Sequence, residues 1–165
     1  MDFQRNITRR LHQEHEETFE LCARIERAFS ARGRSAPGAG DEAWRAFARR
    51  VDGELDQGVL RHFDFEEREL FPLLEAGSEA AIAQLLLEEH EQIRECVQEF
   101  RSLLAVSRET GLERAQWTRL GSLGAELAER LVGHAQKEEM ALLPALDDLL
   151  ADEQDDELFS GYVLD

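Results

Sequence analysis

The segment His62-Phe63-Asp64-Phe65-Glu66-Glu67-Arg68-Glu69-Leu70-Phe71-Pro72-Leu73-Leu74 returns later in the chain as His134-Ala135-Gln136-Lys137-Glu138-Glu139-Met140-Ala141-Leu142-Leu143-Pro144-Ala145-Leu146. The histidine, the glutamate pair, a leucine, the proline and a closing leucine recur at a constant offset of 72 residues. Residues four apart share one face of a helix. His62 with Glu66, and His134 with Glu138, therefore each present an imidazole and a carboxylate to one side. A second pair accompanies them, Glu14-His15-Glu16 returning as Glu89-His90-Glu91 at an offset of 75. The chain reads as a duplicated two-helix half.

Leu, Ala, Glu and Arg dominate, while Val and Ile are sparse, which favours helices over repeated long strands. Apolar residues at three- and four-residue steps mark four helices. The first spans about 2–31, with Leu11, His15, Thr18, Cys22, Ile25 and Phe29 inward. A Gly- and Pro-bearing loop fills 32–40, and Asp41 is placed to cap the second helix. That helix carries Trp44, Phe47, Val51, Leu55, Val59 and His62, and ends near 75 after a kink or tightened turn at Pro72. Ser78 and Glu79 begin the third helix, which buries Ile82, Leu86, His90, Ile93, Val97, Phe100 and Leu104 before stopping at Gly111. The fourth starts at 112 or 113 and runs to about 150 through Trp117, Leu120, Leu127, Leu131, His134, Glu138 and Leu142, with Pro144 repeating the kink. Short links between four long helices predict an all-α, up-down-up-down antiparallel four-helix bundle with an internal two-helix pseudo-repeat.

The 165 residues suit one domain. The expected division is a bundle over 1–151 and an acidic C-terminal tail over 152–165. In that tail Leu158, Phe159, Tyr162, Val163 and Leu164 either fold back on the bundle or stay disordered. Acidic residues outnumber basic ones by 36 to 19, for a net charge of −17, so nucleic acid and anionic membrane are poor partners. The first residues lack a signal-peptide core and no run reaches the length of a membrane span, so a cytoplasmic location is expected. Cys22 and Cys96 fit no Cys-x-x-Cys signature and are expected to be buried free thiols.

One histidine per helix and one carboxylate from the second and fourth give a candidate metal-ligand set: His15, His62, Glu66, His90, His134 and Glu138. Burying two carboxylates in a bundle core is costly unless cations compensate them. Mixed nitrogen and oxygen donors suit iron or manganese, with zinc chemically possible. His12 shares the side of His15 and is a candidate further ligand, outer support or boundary residue. Arg94, one turn after His90, either snorkels outward to surface carboxylates or turns inward to orient Glu66 or Glu138, but a guanidinium does not ligate metal. Glu67 and Glu139 are either solvated or support the ligands from behind.

The ordered set Glu14-His15, His62-x-x-x-Glu66-Glu67 with Leu70-Phe71-Pro72, Glu89-His90, and His134-x-x-x-Glu138-Glu139 resembles the hemerythrin-like cation-binding domain family over about residues 8–150. The resemblance implies a non-haem diiron centre, two iron ions with an oxo or hydroxo bridge, in which Glu66 and Glu138 are the bridging carboxylates. It implies dioxygen, nitric oxide or peroxide as small ligands. Oxygen-carrying hemerythrins have a further ligand histidine where this chain has Arg94, and their fourth-helix carboxylate follows its histidine by five positions instead of four. The set is also similar to the C-terminal domain of iron-sulfur cluster repair proteins. Three functions stay open at this point: binding or sensing of dioxygen or a related ligand, a diiron enzyme handling peroxide or nitric oxide, and a structural or partner-binding bundle stabilised by metal.

Overall fold

A computed structural model describes residues 3–77 and 79–164, and every regular element within that span is helical. Helix α1 is Asn6–Arg32. Gly33 ends it with φ of 54°, a conformation that costs a residue without Cβ little, and returns its N–H to Phe29 O at 2.9 Å. Asp41 caps α2 as expected, its carboxylate accepting from Trp44 N at 2.8 Å. Helix α2 covers 42–75, and α3 is Ala80–Glu109. Ser78, expected at the start of α3, lies outside the described residues, and Glu79 precedes the first turn. Gly111, at φ of 78°, turns the chain into α4, which covers 114–149. Glu113 and Gln116 close the start of α4 with a reciprocal capping box. The arrangement is an up-down antiparallel bundle with an internal two-helix pseudo-repeat, in which α1 packs on α4, and α3 on both α4 and α2.

Neither proline produces a tightened turn. At Glu66–Leu70 and again at Glu138–Leu142 the helix widens to i→i+5 bonding. Phe71 N donates to Glu66 O, and Leu143 N to Glu138 O. Pro72 and Pro144 then sit in the first turn of the helical segment that follows, where the missing N–H and the ring cost least. Such widened turns concentrate at functional sites, and both of these begin on a candidate metal ligand.

Two apolar layers enclose the middle of the bundle. One gathers Ile25, Trp44, Phe100, Leu104, Trp117 and Leu120; the other gathers Ile7, Leu11, Phe71, Leu74, Leu142 and Leu146. Each such side chain stabilises the fold by about 1.5–3 kcal/mol when fully buried, so the layers can offset a polar stratum between them. In the first layer Gly124 lets α1 approach α4: a Cβ there would lie 3.1 Å from Ile25 and 3.2 Å from Phe29. Cys22 and Cys96 are buried free thiols, as expected.

The C-terminal residues are not a disordered tail. Asp152–Leu164 forms helix α5, which packs on α1. Buried Asp155 accepts from the N–H groups of Asn6 at 2.7 Å and Ile7 at 2.8 Å, satisfying the start of α1. Leu158 and Phe159 are half-buried and Tyr162 is buried, whereas Val163 and Leu164 remain exposed. Among the described residues no helix is long and apolar enough to cross a membrane.

Candidate metal centre

The six candidate residues all converge between the two apolar layers, and all six are buried. They form two groups, His15 with His62 and His90 with His134, and Glu66 and Glu138 belong to both. Within each group one donor atom per residue lies within 4.8 Å of the others. Glu138 Oε2 is 2.9 Å from His15 Nε2 and 3.8 Å from His62 Nε2. Its Oε1 is 2.8 Å from His134 Nε2 and 3.8 Å from His90 Nε2. Glu66 places Oε1 3.1 Å from His62 Nε2 and Oε2 3.4 Å from His90 Nε2. Each carboxylate thus gives one oxygen to each group.

The four central histidines share one orientation, and a ring of four glutamates fixes it. Glu14 on α1 faces His62 Nδ1 on α2 at 2.8 Å. Glu67 on α2 faces His90 Nδ1 on α3 at 2.8 Å. Glu89 on α3 faces His134 Nδ1 on α4 at 2.9 Å. Glu139 on α4 closes the ring on His15 Nδ1 of α1 at 2.6 Å. A carboxylate behind Nδ1 accepts a hydrogen bond from the N–H there and so turns the Nε2 lone pair inward, which is how metal-binding imidazoles are held. Glu67 and Glu139 are therefore supports, not solvated carboxylates. His12 is outside both groups and half-buried, and its Nδ1 lies 2.9 Å from Glu139 Oε1. Arg94 turns outward, donating to Asp64 at 2.7 Å and to Glu67 Oε1 at 3.0 Å, the oxygen that also serves His90.

The donor set is poorly satisfied by itself. His15 Nε2, His62 Nε2 and both oxygens of Glu66 and of Glu138 are buried without a hydrogen-bond partner, although several neighbours are close. Burial opposes charge on His15, yet the close carboxylates of Glu138 and Glu139 outweigh it and raise the pKa to about 9. His90 reaches about 9 in the same way, against burial and through Glu138 and Glu66. His62 is also raised, burial being overcome by the charge of Glu66 and by the neighbouring carboxylates of Glu138 and Glu14. Burial pushes the Glu138 carboxyl up, but His134, His15 and His62 bring it down overall. Glu66 is likewise lowered, its imidazole neighbours prevailing over burial and the Glu138 charge. His90 Nε2 and His134 Nε2 lie 2.9 Å apart. With both Nδ1–H groups donating to glutamates, the Nε2 lone pairs repel unless a proton or a cation lies between. Two cations would satisfy every orphaned atom at once, so the residues fit a binuclear metal site.

The two halves differ in access. A cleft of about 540 Å³ between α1 and α2 runs inward to His15, His62, His134 and Glu138. A cleft of about 520 Å³ beside α3 and α4 is lined by Glu89, Arg130 and Lys137 but by none of the six central residues. At the repeat-related positions Thr18 and Gly58 of the first cleft are replaced by Ile93 and Arg130 in the second. Bulk closes one side and its absence opens the other.

Glu14 and Glu89 were not assigned roles from the sequence, although both precede a histidine in the repeat. A residue next to an inward histidine is about 100° away around the helix, and each instead reaches the histidine of the next helix. Tyr162, named from the sequence only as one of the residues able to fold back on the bundle, donates its O–H to Glu14 Oε2 at 2.7 Å, a contact the periodic pattern does not show. Residues 6–146 match the family described as Hemerythrin HHE cation binding domain. No curated protein gives a significant match.

Proposed function

The chain belongs to the hemerythrin HHE cation-binding family, and we propose that it binds two iron ions and uses them to bind or sense dioxygen or a related small ligand. The metal-binding unit is assigned to residues 1–151, and helix α5, Asp152–Leu164, docks on the bundle. The ligands are His15, His62, Glu66, His90, His134 and Glu138, two imidazoles for each ion and two carboxylates shared. The observation that carries this reading is the sharing itself: both four-residue groups contain Glu66 and Glu138, each with one oxygen on either side. Metal pairs in proteins sit about 3.5–4 Å apart, a span one carboxylate can bridge. Imidazole and carboxylate donors without thiolate favour iron over a closed zinc site.

Two ferrous ions held by these residues would supply two electrons, one per ion, to a ligand of the dioxygen class. The protein's own residues orient, shield and admit. Glu14, Glu67, Glu89 and Glu139 hold the imidazoles with Nε2 inward. Phe63 stacks on His90 with ring centroids 3.8 Å apart and keeps water from that side. The cleft at Thr18 and Gly58 leaves a passage for a small molecule.

Anaerobic loading with ferrous iron, followed by metal analysis and by titration with dioxygen and nitric oxide, tests the proposal. Two irons per chain, magnetic coupling in Mössbauer spectra and a saturable spectral change with either gas are expected. One iron or none, or two irons that ignore both gases, would overturn it. Continued consumption of peroxide or nitric oxide would identify the enzymatic alternative.

A further inference from the structure

Helix α5 lies outside the two-helix repeat, yet it reaches the centre. Tyr162 O–H donates to Glu14 Oε2 at 2.7 Å, and the same oxygen accepts from His62 Nδ1 at 2.8 Å. The phenol is buried, stacked on Phe65 with centroids 4.1 Å apart, and the Arg61 guanidinium covers it at 4.4 Å. Arg61 also donates to the Tyr162 carbonyl. Arg10, the remaining partner of Glu14, holds its other oxygen at 2.8 Å.

The other half solves the same problem with local residues. Glu89, the repeat-related counterpart of Glu14, is held by Lys137. By the 72-residue offset Lys137 corresponds to Phe65, the residue on which Tyr162 stacks, and Arg61 corresponds to Gly133. One register position therefore has two uses. In the second half it supplies the donor to the supporting glutamate directly. In the first it supplies an apolar seat for a donor brought by α5.

We propose that Tyr162 is a positioning residue for the His15–His62 half of the centre, and that docking of α5 and metal loading of that half are linked. The inference rests on the six-ligand reading above. Docked α5 places the O–H that fixes Glu14 and so keeps His62 Nε2 directed at the metal. Energetic coupling is reciprocal, so metal held by His62 also holds α5 on the bundle. Lys137 is part of α4 and confers no such dependence on the second half.

Tyr162→Phe removes only the O–H and keeps the ring on Phe65 and beneath Arg61. The experiment loads wild type and variant with ferrous iron, then follows iron release to a chromogenic chelator and backbone hydrogen exchange across 152–164. Outer supports of metal ligands commonly contribute 10–100-fold in affinity; the phenol acts one residue further out, so one of the two irons should leave about threefold to tenfold faster. In wild type, exchange in α5 should slow on loading, and this response should shrink in Tyr162→Phe. Lys137→Met should speed iron release while leaving the α5 response intact, which a general loosening of the bundle would not do. Two irons leaving variant and wild type at equal rates would overturn the inference, as would α5 exchange in wild type that ignores loading. Wild type that never takes up two irons would instead refute the metal assignment, and the inference with it. The wild-type exchange measurement tests the linkage even if the variant folds poorly.

Discussion

Raising the pH should weaken the metal-free protein and spare the loaded one. In the metal-free fold His15 and His90 hold protons up to about pH 9, because Glu138 with Glu139 on one side and Glu66 on the other outweigh burial. The unfolded chain releases the same protons near the ordinary value of 6.5. A folded pKa above the unfolded one contributes stability that is complete below about 6.5 and is lost as pH rises through about 9. At 1.36 kcal/mol per pKa unit this amounts to about 3 kcal/mol for one histidine, and to less than twice that for the pair, since both depend on Glu138. Domains of this kind are stable by only about 5–15 kcal/mol, so the loss should be plain in urea unfolding followed by circular dichroism at pH 6.5, 7.5 and 9. Loaded protein should show no comparable loss, because metal and not proton then occupies the Nε2 lone pairs. Metal uptake at pH 7 should release about three protons per chain, one each from His15, His62 and His90, all raised in the metal-free fold. A urea midpoint for verified metal-free protein that stays level from pH 6.5 to 9 would refute the account of how these histidines are charged.

Glu66→Gln and Glu138→Gln should each lower iron content from two per chain toward one or none, with Glu138→Gln the more severe because Glu138 faces all four histidines. Two magnetically coupled irons retained in both variants would reject the bridging roles. Arg94→Leu should still saturate with iron but lose it about tenfold faster, since Glu67 behind His90 is no longer held; unchanged release kinetics would reduce Arg94 to a surface residue. Gly58→Phe should slow nitric oxide binding to loaded protein without lowering its melting temperature, because a Cβ there meets nothing within 4 Å and glycine is a poor helix former. An unaltered binding rate would show that the cleft between α1 and α2 is not the route.

The bundle was legible because its signal is periodic. Leu86, His90, Ile93, Val97, Phe100 and Leu104 recur at helical spacing, and all are buried on one side of α3. The central residues were legible because they too lie on the inward stripes, and duplication displayed them twice. What periodicity cannot show is the direction of a side chain at the edge of a stripe. Glu14 and Glu89 stood in the repeated motif without an assigned role, and only the neighbouring helix reveals what each one holds. The widened turns at Glu66 and Glu138 were hidden for a related reason. Pro72 and Pro144 announce a break in the i→i+4 ladder but not whether the helix tightens or widens to meet it. For α5, a short segment of mixed polarity carried too little pattern to separate docking from disorder, and its docking rests on Asp155, Tyr162 and Arg61.

The ring of glutamates also explains why two similar halves form one centre instead of two. Within the first half Glu14 supports His62, and within the second Glu89 supports His134. The other two supports cross the boundary, Glu67 to His90 and Glu139 to His15. A half by itself would therefore have one imidazole held and one free to rotate. It would also contain a single carboxylate with one oxygen directed at the imidazoles of the absent half. Joining the halves supplies the missing imidazole supports and completes the two donor groups. The residues that complete the metal site are thus the residues that select the closed four-helix arrangement, and metal binding and closure of the bundle are expected to proceed as one cooperative step.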